Sequence, residues 1–206
     1  MKKWMFFPAA LGASLGLSAT LHAAQPRAVD VLGFDIAGVK LGMELAQVRS
    51  AMAAYFGIPP SAVELEYQAQ PSPLTGTELP MRLRYEKEGE EVLVNLEPRL
   101  PINAKAPTFA STQIVRRWPQ GSRSKEQVFE GARARYGAPS GVVDQRMLWC
   151  AKPSADPAVV CLQGNPAVLA VSAKGEALFD IRGVDARVEA EMAARAGSGR
   201  NAQQSP

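Results

Sequence analysis

A chain of 206 residues, 47% of them hydrophobic, has room for one or two domains with a real core. Its net charge of +3 includes Lys2 and Lys3 at the extreme N-terminus, so the rest is close to neutral and gives no electrostatic drive toward nucleic acid or an anionic membrane. The single histidine, His22, lies in the same N-terminal stretch; without it no imidazole remains for a general base, a zinc ligand or a Ser-His or Cys-His nucleophile.

Taken in chain order, Lys2 and Lys3 precede an apolar stretch from Trp4 to Leu21, and "LHAAQP" supplies small residues for cleavage after Ala23 or Ala24. That is the three-part pattern of a secretory signal peptide, assigned to residues 1–23. The cleavage point carries no lipid-accepting cysteine, and no later stretch approaches the ~20 apolar residues needed to cross a bilayer. The expected mature protein is periplasmic, without stable membrane insertion.

Residues 24–107 read as a first unit. "VLGFDIAGVKL" is predicted as a strand. A helix follows in which Leu45, Val48, Met52 and Tyr55/Phe56 recur at helical spacing, ending at Gly57 and stopped by Pro59. Strands are then predicted in "AVELEYQ", "MRLRYEK" and "EEVLVNLE", the last two joined across Glu88-Gly89. The Pro-rich "EPRLPINAKAP" is a joint. The strand "TQIVRRW" reads equally as the last of a first sheet or the first of a second. Its alternation sends Ile114, Arg116 and Trp118 to one side, with Val115 and Arg117 on the other.

Residues 108–183 form the second unit. Ser124 with Gln127 makes a capping-box pattern before a helix carrying Val128, Phe129, Ala132 and Tyr136. Strands follow in "GVVDQRMLWC", "AVVCL", "AVLAVSA" and "EALFDIR", with turn signals at Gly164-Asn165 and Lys174-Gly175. Cys150 and Cys161 are an even pair in an exported chain, which predicts a structural disulfide. Residues 184–206 read as a terminal helix, "VDARVEAEMAARAG", and a disordered tail, "SGRNAQQSP".

The two helices share a grammar. Setting Gln47-Val48 on Gln127-Val128 without gaps brings Ala54 onto Ala134, Phe56 onto Tyr136, Gly57 onto Gly137 and Pro59 onto Pro139. The fold class expected is therefore α+β, as two tandem units, each a helix packed on an antiparallel sheet. "LGMELAQVRSAM" with its following Gly-x-Pro resembles the Gly-Met-x-x-x-x-Val helix opening of two groups. These are the β-lactamase-inhibitory proteins, which carry such a unit twice, and the small lipoproteins of the outer-membrane assembly machinery. "SRSKEQVFEGARARYGAPS" resembles the same opening without its Gly-Met. Glu44 stands where those openings carry a hydroxyl cap, and only the second unit here contains cysteines. The resemblance spans the two helices and their flanks; it implies a protein-binding module without a catalytic centre.

Motifs that mimic active sites have plainer readings. "GASLG" matches a nucleophile elbow but falls inside the signal peptide. "SRSK", from Ser122 to Lys125, matches Ser-x-x-Lys but lacks the companion motifs of penicillin-binding enzymes. "EKEGEEV" lacks the aspartates and ligand spacing of a calcium loop and reads as a solvated hairpin tip. No catalytic, cofactor-binding or metal residue is assigned, and no cofactor is expected. The leading reading is a non-enzymatic protein-binding module of the cell envelope: an accessory factor, inhibitor or immunity protein with an unidentified envelope partner. The alternative is a small periplasmic hydrolase with a Ser-Lys or carboxylate site. Arg116 and Trp118 are the candidate protein-binding anchors, because arginine and tryptophan are enriched among residues that dominate interface energy.

Overall fold

The computed structural model describes residues 27–103, 105–154, 156, 160–161 and 165–202, with backbone alone at 181–184, 195 and 197–202. The signal-peptide assignment therefore lies outside the described residues. Helix α1 spans Leu45–Phe56 and α2 spans Lys125–Tyr136. The strands are β1 (Glu64–Tyr67), β2 (Pro80–Lys87), β3 (Glu90–Pro98), β4 (Phe109–Arg117), β5 (Gly141–Val143), β6 (Arg146–Cys150), β7 (Val168–Ser172) and β8 (Gly175–Phe179), and α3 spans Ile181–Ala202. The protein is α+β, and its strands form one eight-stranded antiparallel sheet rather than a sheet for each half. The order is β1-β2-β3-β4-β8-β7-β6-β5, so β4 joins β3 on one side and β8 on the other. Pairing β4 with β8 satisfies two rows of backbone groups that separate sheets would leave at exposed edges.

The helices start and stop for local reasons. The Gln47 side chain accepts from the Glu44 N–H at 2.9 Å, and Gln127 accepts from the Ser124 N–H at the same distance. Each bond satisfies a backbone donor that a helix start leaves orphaned. Gly57 ends α1 in the left-handed conformation, at φ 67° and ψ 42°. Gly137 also has positive φ, but its ψ of −166° sends the chain elsewhere, so the two helix exits are not identical. Three superimposed positions face the core in both helices: Val48 and Val128, Met52 and Ala132, Phe56 and Tyr136 are all buried. α1 packs on β2, β3 and β4, and α2 on β7.

Strand alternation decides what lies beneath them. Leu83, Val94, Ile114, Leu178, Leu169 and Trp149 are register partners across six adjacent strands, and all are buried. With the inward residues of α1 and α2 they belong to one hydrophobic core, so both helices cover the same face. Gly175 is required where β8 meets β4: a Cβ there would fall 2.1 Å from the Arg116 carbonyl oxygen.

Four predicted elements differ, three of them extended segments. Residues 31–41 do not form a strand. Val31–Gly33 is a 3-10 turn, and Ile36 and Val39 make an isolated bridge around Ala37 and Gly38, both at positive φ. Asp35 stabilises that turn by accepting the Gly38 N–H at 3.1 Å, while Val31, Ile36 and Val39 fill the core. "GVVDQRMLWC" is a hairpin, β5 to β6, because Asp144 and Gln145 both take positive φ and reverse the chain. Around Cys161 only an isolated bridge to Pro153 appears; residues 158, 159 and 162 of the predicted strand lie outside the described residues.

α3 begins three residues earlier than predicted and continues through Ala202, into the segment read as a tail. It packs on β3 and β4, and its Arg187 ion-pairs with Glu97 and with Glu191, the latter at 2.8 Å. Glu97 alternates with buried Leu96, so it lies on the face opposite α1 and α2, and α3 covers that end of the second face. Burial pushes the Glu97 carboxyl up, against the opposing pull of Arg187.

Candidate functional site

The second face of the sheet is chemically divided. Over β1 to β3 it is a charged ladder: Arg84 bonds Glu91 at 2.7 Å and Glu86 at 3.1 Å, and Arg82 bonds Asn95 at 2.8 Å. Arg117 on β4 closes the ladder on Glu91. The hydrogen bond from Arg84, reinforced by Arg117, holds the Glu91 carboxyl below its ordinary value. Past β4 the same face turns apolar. Val115, Ala177, Ala170 and Leu148 are register partners across β4, β8, β7 and β6, and none is covered by α1 or α2. Together with Phe179 and Val143 they line an open trough of about 620 Å³. Arg117, Arg146 and Lys174 also line it, as does Cys161 of the disulfide.

Cys150 and Cys161 are bonded, with Cα atoms 5.9 Å apart. Cys150 ends β6, and its loop is held on the other side by Ser154 N–H to Val160 O at 2.9 Å and by Asn165, which accepts the Lys152 N–H at 2.7 Å. The disulfide closes the loop between the two cysteines and restricts the unfolded chain.

Arg116 and Trp118 fall on the helix-covered side, as alternation with Ile114 requires. Arg116 is only 9% exposed and so is not an open-face anchor. Its Nε donates to Glu90 at 2.8 Å, its Nη1 lies 3.4 Å from Glu176, and its guanidinium sits over the Tyr55 and Trp118 rings at 5.2 and 5.7 Å. Burial works to lower this group, but Tyr55, Glu90 and Glu176 outweigh it and raise it above its ordinary value. The physical reason for the inward placement is Glu176, 5% exposed directly across the β4–β8 pairing. Tyr136 donates its hydroxyl to the same carboxylate at 3.0 Å, and Tyr55 donates to Glu90 at 2.6 Å. Burial, then the Glu90 hydrogen bond, pushes Tyr55 up to about 12; burial, then the Glu176 charge, raises Tyr136 still further. Trp118 is half-buried, with the Arg123 guanidinium 5.3 Å from its ring centre.

The Ser-x-x-Lys motif resolves as helix capping: Ser124 accepts from the Gln127 N–H at 3.3 Å, while the Lys125 ammonium lies 5.5 Å over the Phe129 ring. Among the described residues no group of three or more acidic, histidine or cysteine residues could hold a metal, and no helix is long and apolar enough to cross a membrane.

Two features were missed in the sequence, and both had a signal. Strands β6 to β8 carry mainly apolar residues on both faces, although among the described residues α1 and α2 lie over only one, which marks an apolar second face in an antiparallel sheet. Glu176 shares the inward parity of Leu178, just as Arg116 shares that of Ile114, so two opposite charges on the core side of unassigned strands could have been paired. No protein-family model, curated protein or solved structure matches the chain.

Proposed function

We propose that this protein is an exported, non-enzymatic protein-binding module of the cell envelope, an accessory factor, inhibitor or immunity protein, that receives its partner on the open face of the sheet. The observation that carries the reading is the trough. A concave, mainly apolar site with a few polar groups at its edge is the usual form of a binding site. Here Val115, Leu148, Ala170, Ala177 and Phe179 share one, with Arg117, Arg146 and Lys174 beside them. An apolar centre with a polar, charged fringe is the anatomy of an interface. The cationic fringe favours a partner surface with acidic residues around an apolar patch.

The mirrored strand order supports the tandem reading. In each half a helix of twelve residues precedes four strands, and the last strands, β4 and β8, meet at the centre. The shared inward positions of α1 and α2 support it independently. A disulfide suits an oxidising compartment, which supports a periplasmic address after cleavage of residues 1–23.

The test is capture of partner from periplasmic extract by the immobilised protein, identified by mass spectrometry and repeated with purified partner. Ala170→Glu and Leu148→Glu should each weaken binding by at least ~2 kcal/mol, the scale of an interface hot spot. Glu130→Lys on the exposed side of α2 should leave it unchanged. Equal binding by folded trough variants would reject this face.

A further inference from the structure

A second cavity lies on the helix-covered side, where α2 passes the end of β4. It is a cleft of about 130 Å³ lined by Trp118, Arg123, Gln127, Gly131 and Arg135 above a floor that includes Arg116 and Glu176. The floor is already neutralised: Glu176 takes Arg116 at 3.4 Å and the Tyr136 hydroxyl at 3.0 Å. Arg135, on the rim, is paired with Asp35 at 2.7 Å.

The groups left over are all donors. Among the described residues no carboxylate pairs with Arg123, which instead lies over the Trp118 ring. The indole N–H of Trp118 is buried without an acceptor, a loss that a buried donor ordinarily avoids. Gln127 spends its carbonyl oxygen on the Ser124 N–H, which leaves its amide NH₂ to donate. Room is provided by Gly131, where an added Cβ would meet no atom within 4 Å.

A cleft of spare donors and one uncompensated guanidinium calls for an anion. Its volume of about 130 Å³ is several times the roughly 10–15 Å³ that one water needs, enough for one carboxylate. One uncompensated guanidinium balances one negative charge, which suits a monoanion better than a dianion. A carboxylate also matches the planar fork of arginine. We propose that this cleft binds a single carboxylate group. Arg123 supplies the ion pair and the Gln127 amide a hydrogen bond, beside the ring of Trp118. The group comes from a small organic acid or from an acidic side chain of a bound protein.

The indole ¹H–¹⁵N signals of the full chain report on this directly, and Trp149 is an internal control because its N–H already donates to Gly137 O at 3.2 Å. Sodium acetate and a terminally blocked peptide with one glutamate are titrated against sodium chloride at matched ionic strength and against inorganic phosphate. The Trp118 signal should move and saturate while Trp149 stays still. Saturation by acetate assigns a free acid as sufficient; saturation by the peptide alone assigns a protein side chain. Arg123→Gln should weaken binding about tenfold or more, the scale of one charge-assisted bond. Gly131→Leu, at an exposed helix position, should block it, with Trp149 unmoved in both. The proposal is overturned if chloride moves Trp118 as far as the carboxylates do, if phosphate alone saturates it, if no probe moves it, or if Arg123→Gln binds as before.

Discussion

Arg116 and Glu176 are register partners on β4 and β8, and Nη1 of one lies 3.4 Å from Oε1 of the other beneath the helices. They sit where the two halves of the sheet join, 9% and 5% exposed. Two desolvated charges are tolerated here because each has further partners: Glu90 for the arginine and Tyr136 for the glutamate.

Arg116→Ala should destabilise the protein by about 3–5 kcal/mol, because it strands a buried carboxylate. Urea unfolding followed by tryptophan fluorescence measures this. Removing both charges, as Arg116→Met with Glu176→Met, should cost less than the sum of the single changes, with a coupling of about 0.5–3 kcal/mol. A cost below about 1 kcal/mol for Arg116→Ala would show the pair to be energetically idle.

Tyr136 gives the fold an alkaline limit. Burial and the neighbouring Glu176 raise its folded-state value, and burial with Glu90 brings Tyr55 to about 12. Both hydroxyls titrate near 10 in the unfolded chain. As pH rises through that value the unfolded state loses protons that the folded state keeps, so stability falls. Unfolding free energies at about pH 8 and about pH 11 should drop for the parent protein and drop less for Tyr136→Phe. At neutral pH the same variant should cost about 1.5–3 kcal/mol, the worth of a hydrogen bond to a charged group. Equal pH slopes for parent and variant would contradict the assignment.

The disulfide should matter to stability and to the open face together. Replacing Cys150 and Cys161 with alanine should cost roughly 3 kcal/mol in the chain-entropy model. Because Cys161 lines the trough, amide exchange at Ser154 and Val168 should also quicken in the double variant. Matching melting curves for the oxidised parent and the variant would count against a stabilising role.

Local structure is legible in residue type and spacing. Helical spacing placed α1 and α2, the Ser124–Gln127 capping box and the terminal glycines bounded them, and period-two alternation marked most of the strands and put Ile114, Arg116 and Trp118 on one side. These are interactions within a few residues of chain, and residue type alone encodes them. The disulfide was legible for a similar reason, as an even cysteine pair a short loop apart. The pairing of β4 with β8 into a single sheet emerges only in the folded chain, because the backbone groups that pair there belong to every non-proline residue and leave no sequence mark. That pairing brings Arg116 to Glu176, closing an arginine that looked like a surface anchor into the core. It also aligns Val115, Ala177, Ala170 and Leu148 into one apolar face, from strands whose separate patterns showed only that both sides were apolar.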